Sequence, residues 1–157
     1  MSENNLRAKW LRSTLVVSIL LLGASLRLIS VSTLPNGLHW DEQDTGYQAY
    51  SLLQTGRDYF GNILPLFPHS LAEYRTPVLI YSTVPVVKLF GLSAFSVRLL
   101  PAIFAILGII TFGILCYFTS RDLTFGILGL LIISLSVWYI QYSRQAVESI
   151  VMSLYFL

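Results

Sequence analysis

LLPAIFAILGIITFGILCYFTSRDLTFGILGLLIISLSVWYIQY, residues 99–142, decides the fold. Its only charged residues are Arg121 and Asp122. The apolar runs on either side, 99–119 and 123–142, are each long enough to cross a bilayer, which takes about 20 apolar residues in a helix. Residues 120–122 then form the turn of a helical hairpin. The whole chain agrees with this window. It is 55% hydrophobic and 11% charged, whereas soluble domains run near 25% charged. Too few charges remain to cover a water-facing surface, so the bilayer is the expected solvent for much of the chain.

Working outward, Arg7, Lys9 and Arg12 precede a third apolar run, 13–34. It is too long for a signal h-region and lacks a small-x-small cleavage site before Pro35. It reads as the first transmembrane helix, with residues 1–12 cytoplasmic under the positive-inside rule. Residues 150–157 read as the start of a fourth, truncated span. The run 78–90 is apolar but short, and it holds Pro85 and Lys88. A run of about 10–14 residues is more often interfacial than spanning. If 78–90 does not cross, 120–122 is a cytoplasmic turn and 143–149 an external segment. The expected fold is therefore an all-α integral membrane protein, a multi-spanning helical bundle. Its large external first loop, 35–98, carries two membrane-surface helices, near 42–55 and 77–90.

Within that loop, Tyr47, Tyr50 and Leu53 fall at a spacing of three, the expected apolar face of the first surface helix. Gly56 closes it. Pro77 suits the first position of the second surface helix and Gly91 its end. Ser93 suits a cap on the next span. A net charge of +2 does not suggest a nucleic-acid partner. The single cysteine, Cys116, excludes a disulfide framework and reads as a buried small hydrophobe.

His39-Trp40-Asp41-Glu42-Gln43-Asp44 places three carboxylates at the membrane edge. Nearby like charges raise one another's pKa, which suits a general base, and a carboxylate pair can hold a divalent cation. The same spacing also fits a helix start, with Asp41 as N-cap and Asp44 in the first turn. Arg75, in Glu73-Tyr74-Arg75-Thr76-Pro77, could bind a lipid phosphate or be an ordinary interfacial charge. Arg144 and Glu148 are four apart, either a local ion pair or a headgroup-level site. Arg27, inside the first span, is either functional or snorkels to the external edge.

The order of several blocks resembles a known group of enzymes. They are GLHWDE at 37–42, GYQAYSLLQTG at 46–56, YFGNILPL at 59–66, LFGLSAFSVR at 89–98, and QYSR at 141–144 followed by Glu148. Together they are similar to membrane glycosyltransferases of the GT-C superfamily, in particular the protein O-mannosyltransferases and the lipid A aminoarabinose transferase. The resemblance implies a sugar transferase using a polyprenyl-phosphate-linked donor on the external face of the cell membrane, with an acceptor the sequence does not identify. It implies Asp41 as the catalytic carboxylate, with Glu42 beside it, and Glu148 as the acidic residue of the second external loop. Arg75 and Arg144 would face the donor phosphate. Relatives often carry Glu followed by Lys-Pro-Pro at the second surface helix, where the Glu helps bind a divalent metal cation. Glu73 would take that role, although Arg75 stands where Lys is usual. Relatives are also longer, so the chain reads as an N-terminal fragment, inactive alone. The rival readings are a transporter fragment and a non-catalytic or truncated membrane subunit. The absence of charged residues within 99–119 and 123–142 argues against a transporter, which places polar groups near the midplane.

Overall fold

The computed structural model describes residues 3–71 and 73–155. These residues form seven helices and no strand: α1 Glu3–Leu28, α2 Trp40–Thr55, α3 Pro77–Phe90, α4 Ala94–Ser120, α5 Leu123–Leu135, α6 Val137–Ser143 and α7 Glu148–Tyr155. Two are long and apolar enough to cross a membrane, Leu6–Leu28 and Ala94–Ser120. The bent pair α5–α6 makes a third if it is taken as one span. The start of the expected fourth span lies in α7, and its last residues, Phe156 and Leu157, fall outside the described residues.

α4 is the hub and packs on every other helix. Its closest partner is α5, and small residues explain why. A Cβ on Gly113 would lie 2.4 Å from Leu130 Cγ, and one on Gly129 would lie 2.6 Å from Cys116 Sγ. Each glycine is the hole for a larger side chain on the other helix, the arrangement that lets two apolar helices approach closely. Cys116 is half-buried and fills the gap over Gly129.

The run 123–142 is not one helix. It breaks at Ser136, and α5 and α6 meet at 60°. Ser136 ends α5 in an extended conformation and then caps α6, its hydroxyl facing Tyr139 N. The break frees carbonyls at the end of α5, and Arg27 takes them. Its guanidinium donates to Ile133 O and Ser134 O at 3.2 Å each, and to Gly23 O at 2.9 Å. Arg27 is fully buried and neither snorkels nor faces an acid; it completes a broken helix. The first apolar run also ends early, at Leu28 rather than near 34. Arg144 closes that end by donating to Leu26 O at 3.1 Å and to Ile29 O. The two arginines thus cap each other's helical neighbourhoods, which is why Arg144 does not pair with Glu148.

α3 begins with Pro77 and ends at Gly91, whose φ of 75° is one that glycine tolerates. Its 14 residues reach about 21 Å, short of a hydrocarbon core about 30 Å thick. Ser93 caps α4, accepting from Ser96 N at 3.2 Å. The α4–α5 turn lies beside the start of α1. Leu123 shares a cleft with Lys9 and Arg12. The Asp122 carboxyl is held below its usual range, first by Thr124 and also by the field of Arg12. α2 and α3 sit at the opposite end of α1, where Arg98 at the start of α4 donates to Val31 O, Pro35 O and Gly37 O.

Toward the bundle, helix α2 turns a face other than that of its tyrosines, which face away from the protein. Glu42, Thr45, Gly46, Gln48, Ala49 and Leu52 point inward. Tyr47 is 64% exposed and Tyr50 43%. Gly46 decides this: a Cβ there would lie 3.0 Å from Val97 Cγ2 and 3.2 Å from Leu92 Cδ1. The small residues allow the closest approach, so the helix turns them to the bundle and its rings outward.

Candidate functional site

The site is built on the first turn of α2. His39, not Asp41, is the N-cap, and Glu42 at the third helical position completes a capping box. Glu42 Oε2 accepts from His39 N at 2.7 Å, and Asp41 N approaches His39 Nδ1 at 3.4 Å. The box fixes the rotation of the turn and sends neighbouring carboxylates to opposite sides.

Glu42 goes inward. It is 0% exposed and meets Arg98 through Nε–Oε1 at 2.6 Å and Nη2–Oε2 at 3.0 Å. Arg98 spends its remaining donors on Val31 O, Pro35 O and Gly37 O. Both groups are saturated. Glu42, expected at the reacting face, instead ties the end of α1, the 31–37 turn and α2 to α4. Arg98, which sequence reasoning left as the end of a motif, is the other half of that tie.

Asp41 goes outward. Its side chain is 28% exposed, and Arg75 Nη2 lies 2.6 Å from its Oδ1. His39 Nδ1 lies 3.6 Å from its Oδ2. Arg75 Nε also reaches Asp44 Oδ2 at 3.0 Å, and its Nη1 lies 3.3 Å from Glu73. Burial works against the Arg75 charge, but the Asp41 hydrogen bond and the fields of Asp41, Asp44 and Glu73 outweigh it. Its pKa stands above the ordinary guanidinium value. The structure thus joins Asp41, Glu73 and Arg75, and adds Asp44. Glu148 stands nearby at the start of α3, accepting from Thr76 N at 2.7 Å. Arg144 is engaged elsewhere, at the end of α1.

Tyr59 completes the cluster. Its hydroxyl donates to Asp44 Oδ1 at 2.7 Å and lies 3.4 Å from Ser70 Oγ. Burial, then the bond to Asp44, push the phenol up, so it stays a donor. Tyr59 is placed by Asp58, which sequence reasoning missed. Asp58 Oδ1 accepts from Phe60 N at 3.1 Å and Asn62 N at 2.8 Å, and Oδ2 accepts from Asn62 Nδ2 at 2.8 Å and His69 N at 3.3 Å. Burial raises its pKa, but these four bonds outweigh that and leave it depressed. An Asp followed by Gly61-Asn62 is the turn signal that could have revealed it.

The carboxylates of Asp41, Asp44 and Glu73 face one cation, and that cation is Arg75. Among the described residues no three His, Cys, Asp or Glu side chains converge to hold a metal ion. The space a divalent cation would occupy between Asp41 and Asp44 is filled by the guanidinium, so the residues as arranged do not fit one. Comparison of the chain with protein families, with curated proteins and with solved structures finds no match.

Proposed function

We propose that this chain supplies the general base and the leaving-group cation of a membrane glycosyltransferase of the GT-C type. It would transfer a sugar from a polyprenyl-phosphate donor to a hydroxyl acceptor. The observation that carries the reading is the Asp41–Arg75 contact: a partly open carboxylate, fixed on a capped helix turn, against a guanidinium with bidentate reach. Asp41 Oδ takes the acceptor hydroxyl proton, the acceptor oxygen attacks the anomeric carbon, and the bond from that carbon to the phosphate oxygen breaks. Arg75 stabilises the charge that gathers on the departing phosphate. Arg75 cannot serve Asp41 and a phosphate fully at once, so donor arrival draws it from Asp41 and frees the base. The cationic role is therefore given to Arg75, and no step is routed through a metal.

The membrane side of this reading has its own support. Arg7, Lys9 and Arg12 lie at the end of α1 beside the Arg121–Asp122 turn, and the acid–arginine cluster lies at the other end. With the basic end cytoplasmic, the cluster sits at the external headgroup level, where a donor phosphate with its tail in the bilayer would also sit. Cysteine labelling with an impermeant reagent in a Cys116→Ala background checks this. Ser93→Cys should label from outside and Ser120→Cys should be protected; the opposite pattern ends the orientation.

Asp41→Asn tests the chemistry. In the full-length protein, sugar release from a labelled polyprenyl donor should fall about a hundredfold or more, the usual span of general-base effects. The thermal melt should move only slightly, because His39 and Glu42, not Asp41, make the cap, and Arg75 keeps Asp44 and Glu73 as partners. Wild-type turnover in well-folded Asp41→Asn protein would remove the catalytic assignment.

A further inference from the structure

Beside the cluster, the outer face of α2 and the 59–71 segment enclose a cleft of about 300 Å³, lined by Trp40, Gln43, Asp44, Tyr47, Tyr59 and Leu71. That is the lower end of the volumes small ligands occupy. We propose that this cleft binds a neutral sugar ring belonging to the acceptor. The proposal rests on the glycosyl-transfer reading above and names the acceptor class that reading leaves open.

The lining selects the occupant. Trp40, Gln43, Asp44 and Tyr47 recur on one helical face at spacings of three and four, and Tyr59 and Leu71 close it from the loop. Trp40 and Tyr47 are large rings turned outward that the bundle leaves uncovered. The faces of such rings are electron-rich, and the apolar C–H faces of a pyranose lie well against them. The polar edge is already set. Asp44 is held by Arg75 on one side and by Tyr59 on the other. Gln43 donates its amide N–H to Leu38 O at 3.0 Å, which leaves its carbonyl to accept from a ligand hydroxyl.

Charge narrows the choice further. A cation would have to displace Arg75 from the one carboxylate that lines the cleft. An anion would meet Asp44. An acyl chain would leave the Gln43 carbonyl without water or partner, an unsatisfied acceptor that a ligand hydroxyl would satisfy. A ring with apolar faces and hydroxyl edges satisfies both walls. Location gives its role: Asp44 lines the cleft and shares Arg75 with Asp41, so a ring seated there is linked to the base through a single guanidinium.

The test reads binding separately from turnover. The full chain, with Trp10→Phe and Trp138→Phe so that Trp40 is the only indole, is reconstituted in phosphatidylcholine vesicles. It is titrated with the methyl glycosides of glucose, galactose, mannose and N-acetylglucosamine. At least one should change Trp40 emission saturably. Tyr47→Ala should weaken that binding tenfold or more, and Lys88→Ala, exposed on α3 and outside the cleft, should leave it unaltered. Tyr47 is exposed, so its loss spares the fold. Emission indifferent to all four glycosides overturns the proposal. So does quenching of Trp40 by brominated phosphatidylcholine that no glycoside relieves, which would make the cleft a lipid groove. If sugars bind and Asp41→Asn keeps full turnover, the cleft stands and the catalytic assignment falls. If Asp41→Asn is inactive and no sugar binds, the reverse holds.

Discussion

Asp41 and Glu42 are neighbours in the chain, and each meets an arginine at 2.6 Å, yet the two pairs have opposite fates. Glu42 and Arg98 are sealed, 0% and 1% exposed, with backbone carbonyls taking the donors Glu42 does not. Asp41 and Arg75 are reachable, and Arg75 divides its donors among three carboxylates. The chemistry of contact is the same. What differs is whether the shell around it is complete. A saturated pair has nothing left to offer a ligand and serves as scaffold. A shared, partly open pair can exchange a partner and serves as a site.

Four substitutions probe that contrast. Arg98→Ala leaves Glu42 as an uncompensated buried charge and should cost about 3–5 kcal/mol, read as a collapse of the melting temperature. A melt near wild type would show that the sealed pair is not the scaffold. Asp41→Asn, the open counterpart, should move the melt only slightly while lowering turnover of the full-length protein about a hundredfold, equivalent to about 2.7 kcal/mol. Large destabilisation there would erase the distinction between the two pairs.

Asp58 extends the contrast to a buried carboxylate held by neutral donors alone. Asp58→Asn should cost about 1.5 kcal/mol near neutral pH, the low end for hydrogen bonds to a charged group. Its native pKa is depressed, so the wild-type advantage is present above the ordinary carboxylate value near 4 and is lost as pH falls through the native value. Melts of both proteins from pH 7 downward should converge. A gap that widens in acid would reverse the sign and refute the assignment. Tyr47→Asp should be the mildest, within about 0.5 kcal/mol, because the ring faces outward. Strong destabilisation would restore the tyrosine face of α2 as its buried one.

The helices around these pairs were legible to different degrees. α3 could be read from Pro77 and Gly91, and the start of α4 from Ser93, because such signals act within one turn of the chain. The open site was half legible. The acidic cluster and Arg75 stood out as residue types, but Asp44's role depended on a partner 31 residues away. The face of α2 that meets the bundle was not legible, because Gly46 and Ala49 mark a contact only when a neighbour's approach shows it, while Tyr47 and Tyr50 mark the face turned away from the bundle. Glu42 was read as chemistry because nothing local distinguishes it from Asp41.

By itself, the sequence determined that the chain is charge-poor and helical, with helices long and apolar enough to cross a membrane. A charge-poor chain with two long uninterrupted apolar runs cannot satisfy its backbone in a bilayer except as helix, and caps and prolines marked several of the ends. Tertiary structure alone decided the rest. It decided that 123–142 breaks at Ser136, because Arg27, 106 residues before Ile133 in the chain, supplies the donors that make the break tolerable. It decided that Glu42 is sealed, because Arg98 arrives from 56 residues away. Hydrogen bonds and close packing between distant segments depend on where two helices cross, and no pattern confined to either one carries that information.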